Sequence, residues 1–133
     1  MTEEKRAIIR YRIQEAIETL EDAEMLLARD RLRSAANRIY YGMFYATAAL
    51  LAARNLSSVR HSGAIALFGE HFVKTGEFPK DLYRLLGQGF DLRSQGDYKD
   101  LAVLERPLLD ELLTGARAFV AEARNTLQSL GIE

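Results

Sequence analysis

The sequence predicts an all-α protein, an antiparallel up-and-down bundle of about five helices, on three observations. Apolar residues recur at three- and four-residue steps through most of the chain, the spacing that lines one face of a helix. The two prolines, Pro79 and Pro107, both stand where a helix would begin, and there a missing N–H costs little. No run of alternating β-branched residues competes with this pattern.

The first helix, about residues 3 to 29, carries Ile9, Ile13, Ala16, Ile17, Leu20, Ala23 and Leu27 on one face and acidic residues on the other. The second, about Arg31 to Arg54, repeats the spacing through Ala36, Ile39, Tyr40, Met43, Thr47, Leu50 and Leu51. Its opposite face is apolar too, with Tyr41, Tyr45, Ala48 and Ala52. A helix that is apolar all round must be covered on both sides, so this second face predicts a homodimer in which small residues allow close approach and tyrosines supply buried area. Asn55-Leu56-Ser57-Ser58 is turn chemistry, with Ser57 or Ser58 available to cap a third helix from about Val59 to Lys74, ended by Gly76. A fourth helix starts at Pro79, carries Leu82, Leu85, Leu86 and Phe90, and is expected to break at Gly96. The last, about Leu104 to Leu130, takes Pro107 in its first turn and stripes Leu109, Leu112, Leu113, Ala116, Val120, Ala123 and Leu127 along one side.

The chain reads as one domain over residues 1–133, 48% hydrophobic and 28% charged, with a formal net charge of −1. That composition excludes disorder and a histone-like polycation, and a chain of this length buries roughly two-thirds of its unfolded surface. Cysteine is absent, which removes disulfides, thiolate metal sites and cysteine nucleophiles. The N-terminus opens with charges and no stretch approaches the roughly 18 apolar residues of a membrane span, so the expected location is the cytoplasm, with no membrane partner.

Charge is unevenly spread. The 39 residues from Arg31 to Gly69 hold no Asp or Glu but carry Arg31, Arg33, Arg38, Arg54, Arg60 and His61. Of 18 basic residues only Lys5, Lys74, Lys80 and Lys99 are lysines, and arginine is the side chain suited to forked contact with phosphate or carboxylate. Two readings stay open: these arginines pair with the acids of the first helix, or they form a phosphate-binding surface.

There is no Gly-rich phosphate loop, no His-Glu-x-x-His pair and no Gly-x-Ser-x-Gly elbow. His61 and His71 would stand roughly 15 Å apart along a continuous helix and about 80° apart around it, too far to share a metal; neither a metal nor another cofactor is expected. His61 nevertheless begins a helix beside Arg60, where the positive helix end favours neutral imidazole. It either accepts a proton there or merely bonds the chain between two helices. A second polar cluster, Asp91-Leu92-Arg93-Ser94-Gln95-Gly96-Asp97-Tyr98-Lys99-Asp100, closes the fourth helix. In it Arg93 and Asp97 stand one turn apart, and a turn at Gly96 would aim Asp97 and Tyr98 back at the bundle.

Three blocks together, Ser34-Ala35-Ala36-Asn37-Arg38-Ile39-Tyr40-Tyr41-Gly42-Met43-Phe44-Tyr45-Ala46, Val59-Arg60-His61-Ser62-Gly63 and Leu92-Arg93-Ser94-Gln95-Gly96-Asp97-Tyr98, resemble the bacterial and archaeal branch of the HEPN domain family over about residues 8 to 125. The resemblance implies a helical, nucleotide- or RNA-associated bundle. Toxin members of that family are metal-independent endoribonucleases with an Arg, four to six residues and a His across a dimer interface. Here Arg93 fills the first place and Tyr98 stands where the His would be. A phenol with a pKa near 10 is a poor base at neutral pH, whereas Arg93 still suits a phosphate and Tyr98 offers a hydroxyl or a stacking face. The resemblance thus implies a homodimer in a toxin–antitoxin module with a minimal nucleotidyltransferase partner. Its catalytic candidates are Arg93, Tyr98 and His61, its RNA or nucleotide contacts Arg93, Asp97, Arg60 and Arg38, and Tyr98 is the candidate for modification by the partner. The alternatives are a non-catalytic module that binds nucleotide or docks the partner, and a purely structural protein.

Overall fold

In the computed structural model residues 1–98 and 104–132 are described, the side chains of residues 95–98 excepted. The described residues form five α-helices and no strand: α1 (Glu3–Ala28), α2 (Leu32–Ala53), α3 (His61–Phe68), α4 (Lys80–Tyr98) and α5 (Arg106–Ser129), with α3 passing directly into a π-helical turn, Gly69–Val73. Thr2 caps α1, its hydroxyl accepting from the Lys5 N–H at 3.1 Å, with Glu3 and Glu4 in the positive first turn.

Four helix ends close the same way. After α1 the N–H of Arg31 reaches back to Leu26 C=O and that of Asp30 to Leu27 C=O, with Asp30 at φ 56°. Asn55 at φ 58° does this after α2, Gly76 at φ 85° after the π turn, and Gly131 at φ 78° after α5. Paired bonds around one left-handed residue satisfy carbonyls a helix end leaves open. The first of them turns the chain back sharply enough for α2 to pack on α1.

Helix α2 occupies the middle and touches α1, α3, α4 and α5. It is the helix read as apolar all round, and the bundle itself covers most of it: Ala35, Ile39, Tyr40, Met43, Ala46, Ala49 and Leu50 are buried. A second part of the core is aromatic. Phe78 stands between Phe68 and Phe119, with ring centroids at 4.9 and 4.8 Å, and all three are fully buried.

Three expectations are corrected. Helix α4 continues through Gly96 to Tyr98, because one glycine costs only about 1 kcal/mol in a helix. Neither Ser57 nor Ser58 caps α3: it starts at His61 with no side-chain cap, while Ser58 Oγ accepts from the Arg60 N–H at 3.3 Å and holds the turn before it. The third helix also loses α-geometry over Gly69–Val73, where Tyr83 of α4 crowds Gly69 and its hydroxyl donates to Ile65 C=O at 3.1 Å.

The acids at the α1 side find basic partners outside the cationic stretch. Arg106 pairs with Asp30 and Arg117 with Glu24, both at 2.7 Å, while Arg54 pairs with Glu77. Among the described residues, no arginine between Arg31 and Arg60 pairs with an acid of α1. No helix among them is long and apolar enough to cross a membrane.

Candidate functional site

Successive residues of α2 point different ways, and the Tyr40-Tyr41 pair uses this. Tyr40 is fully buried and Tyr41 half-buried. A buried phenol needs a partner for its hydroxyl, and the first residue of α3 supplies one: Tyr40 Oη lies 2.8 Å from His61 Nδ1. The imidazole is held on three sides. Phe44, one turn along α2, stacks on it at 4.2 Å with the planes 10° apart, and Tyr41 meets it edge-on at 5.5 Å.

Arg93 of α4 comes to the same place. Its Nη2 donates to Tyr41 Oη at 3.4 Å, and its guanidinium lies 5.6 Å from the Tyr41 ring centre. Arg38 covers the same ring at 5.1 Å, held by donation from Nε and Nη2 to its neighbour Asn37 Oδ1. Tyr41 therefore carries two cations and touches the imidazole, a geometry in which ring faces attract guanidinium groups. What admits α4 so closely is Gly89: a Cβ there would stand 2.9 Å from Met43 Cε and 3.7 Å from Tyr40.

The electrostatics follow from this packing. Burial lowers the His61 pKa below its ordinary 6.5, and the Arg93 charge pushes the same way. Burial raises the Tyr40 phenol well above its ordinary range, with Tyr41 adding to the shift and Arg93 opposing it. At neutral pH the site holds a neutral imidazole, an intact buried hydroxyl and two guanidinium cations. That suits an anion, and phosphate above all.

The site residues expected from sequence distribute as follows. Arg93, His61 and Arg38 gather around Tyr41. Arg60, one residue before α3, is exposed. Asp97 and Tyr98 lie in the last turn of α4, about one turn past Arg93 by count, with side chains outside the described residues. Of the four residues expected at a dimer contact, Tyr41, Tyr45 and Ala48 are half-buried, the Ala48 carbonyl accepting from Arg12 Nη1 at 3.2 Å. Ala52 is buried in the chain's own core. Tyr40 and Phe44 also belong to the site, though apolar spacing alone marks them as ordinary residues of α2. The available signal was the tyrosine hydroxyl, placed on a core face with no partner in its own helix.

Comparison with known proteins gives a consistent answer. A family model described as HEPN domain matches residues 9–127. A UPF0332 protein of Thermotoga maritima is 40% identical over 96% of this chain and 96% of its own. Two Methanocaldococcus jannaschii proteins, each named "Putative toxin", are 29% identical over 90% of this chain and 82% of theirs, and 30% identical over 92% and 93%.

Proposed function

The chain belongs to the HEPN domain family, and on that premise we propose that it acts on RNA as the homodimeric toxin of a two-component module, gripping a backbone phosphate with Arg93. The observation that carries this reading is the meeting of Arg93 and His61 at Tyr41, from helices 32 positions apart in sequence. Names of the toxin-like relatives support the module. Arg38 and Arg60 would extend the cationic surface along the RNA strand, and Asp97 stands one turn past Arg93 on α4.

Cleavage without metal has fixed requirements. The 2′ hydroxyl gives up a proton and its oxygen attacks phosphorus. The bond to the 5′ oxygen breaks, and that oxygen takes a proton, leaving a cyclic phosphate and a free 5′ hydroxyl. A guanidinium stabilises the charge on phosphorus-bound oxygens, while His61 and Tyr98 are the proton-bearing groups. A strong base is what this set supplies least, so cleavage is slow. One observation favours a second reading, the same phosphate grip without cutting: Tyr98 stands where the family motif has its histidine.

The deciding experiment incubates labelled single-stranded RNA with purified protein in excess chelator, beside Arg93→Ala and His61→Ala. Cleavage abolished in Arg93→Ala supports the toxin reading. Binding without cleavage, lost in Arg93→Ala, supports the second reading. Neither binding nor cleavage by wild type overturns both. The dimer would form through Tyr41, Tyr45 and Ala48, so Tyr45→Arg is expected to lower the solution mass toward that of a monomer. The partner would be a minimal nucleotidyltransferase that adds a nucleotide to Tyr98, and an unchanged Tyr98 peptide mass after incubation with it and ATP counts against that part.

A further inference from the structure

We propose that Tyr40 is a positioning residue that holds His61 in the tautomer with its proton on Nε2, so that a phosphate meets two donors, the Arg93 guanidinium and the His61 Nε2–H. This rests on the reading that the site takes a phosphate, and it assigns His61 the part of donor rather than of resting base.

The tautomer follows from counting donors. The Tyr40 hydroxyl is fully buried, and among the described residues His61 Nδ1 is its one hydrogen-bond partner. A hydroxyl has one O–H to give and lone pairs to receive. If Nδ1 carried the proton and donated, the phenolic O–H would be left unused inside the core, at a cost of about 1–3 kcal/mol. If the phenol donates, only a lone pair goes unused. The second arrangement wins, so Nδ1 is the acceptor and the proton of the neutral ring sits on Nε2. Neighbouring groups reinforce it: the phenol stays protonated because burial disfavours its ionised form, and Arg93 disfavours a second charge on the imidazole.

The ring has little freedom to escape this assignment. Phe44 is stacked on it and Tyr41 closes its edge, and a flip of the ring in its plane would put Cδ2 opposite the Tyr40 hydroxyl in place of Nδ1 and lose the hydrogen bond. Among the described residues Nε2 has no hydrogen-bond partner of its own, nor is it a buried unsatisfied atom. It is therefore open to a ligand, on a ring whose edge meets the same Tyr41 that Arg93 touches.

The test is nitrogen NMR of 15N-histidine-labelled protein at pH 7.5, first alone, then with inorganic phosphate and with a short single-stranded RNA. In the wild type His61 Nδ1 should resonate as an unprotonated nitrogen and Nε2 as a protonated one. The Nε2 signal should move on adding phosphate and saturate at lower concentration with RNA. In Tyr40→Phe, which keeps the ring and loses only the hydroxyl, the two tautomers should mix and phosphate binding should weaken about three- to tenfold. A hydroxyl with a merely structural role would lower stability and leave the tautomer alone, an outcome that overturns the proposal. A wild type protonated on Nδ1 also overturns it, without any variant. The predicted tautomer with no response to either probe would sink the phosphate reading itself while leaving Tyr40 as the residue that orients the ring.

Discussion

Gly42 of α2 lies against Leu20 of α1 with no room for a methyl group: a Cβ there would stand 2.4 Å from Leu20 Cδ2 and 2.8 Å from its Cγ. Leu20 is itself buried and cannot step aside. Gly42→Ala should therefore destabilise by about 1–3 kcal/mol, overpacking outweighing the better helix propensity of alanine. Gly87 of α4 meets nothing within 4 Å, and Gly87→Ala should stabilise by up to about 1 kcal/mol. Urea denaturation of both variants checks the opposite signs; a stabilising Gly42→Ala would mean that α1 and α2 do not approach this closely.

Those glycines also show how far the sequence could be read. Helix positions followed from apolar spacing because burial of one face dominates the choice of helix, and the α1, α2 and α5 stripes lie where the spacing puts them. Local punctuation was less secure. Gly96 reads as a breaker, yet α4 runs through it, since packing along a helix offsets the weak preference of a single residue. Ser58 reads as a cap and instead closes the turn before α3. The meeting of His61 with Arg93 had no local signature, because it depends on how near α4 comes to α2, which Gly89 permits. The partner of His61 was hidden for a related reason: Tyr40 carries the same spacing as an ordinary core residue, and only its hydroxyl sets it apart.

Arg54 joins three elements, and its parts are unequal. Its guanidinium pairs with Glu77, donates to His71 C=O and lies 4.3 Å from the Phe72 ring centre. Hydrogen bonds from Arg54 and Thr75 hold the Glu77 carboxyl below its usual pKa of 4.5. A carboxylate whose pKa falls on folding contributes stability above its unfolded value and loses it as pH drops through the folded one. The pair is partly exposed, so Glu77→Gln should cost less than about 1 kcal/mol at pH 7. That cost should be smaller at pH 3 than at pH 7, because the carboxylate is protonated as pH falls through its folded-state value and then matches the neutral glutamine. Arg54→Ala should cost more at both pH values, having also lost the ring and carbonyl contacts. Thermal midpoints at the two pH values are the check, and a Glu77→Gln cost that is undiminished in acid would assign the effect to packing rather than charge.

His61 gives the reverse end of the scale. Its pKa is lowered on folding from about 6.5 by burial first and by Arg93 second, so between those two values the unfolded chain binds more protons than the folded one. Stability then falls as pH drops below about 6.5 and is unaffected above it. The described side chains facing the imidazole are the Tyr40 hydroxyl, Tyr41, Phe44 and Arg93, and only the last is charged. His61→Gln should therefore lose part of the wild-type decline between pH 7 and pH 5, and Arg93→Ala should raise the His61 midpoint toward its ordinary value. An unchanged midpoint in Arg93→Ala, measured by proton NMR, would place the guanidinium farther from the ring than Tyr41 suggests.

The cations around Tyr41 bear on how binding responds to salt. A side chain that neutralises a phosphate of single-stranded RNA releases counterions, and each such contact adds roughly 0.7 to the slope of log affinity against log salt. Arg93→Ala, Arg38→Ala and Arg60→Ala should each weaken binding at low salt and flatten that slope by about this amount. The control is Arg117, which sits on the α1–α5 side paired with Glu24 at 2.7 Å; Arg117→Ala should leave the slope unchanged. Each of these substitutions removes one formal charge, so a difference between them reports location and not net charge. Equal flattening by Arg117→Ala and Arg93→Ala would mean that RNA meets the protein through its general field, and the Tyr41 cluster would lose its claim to be the binding site.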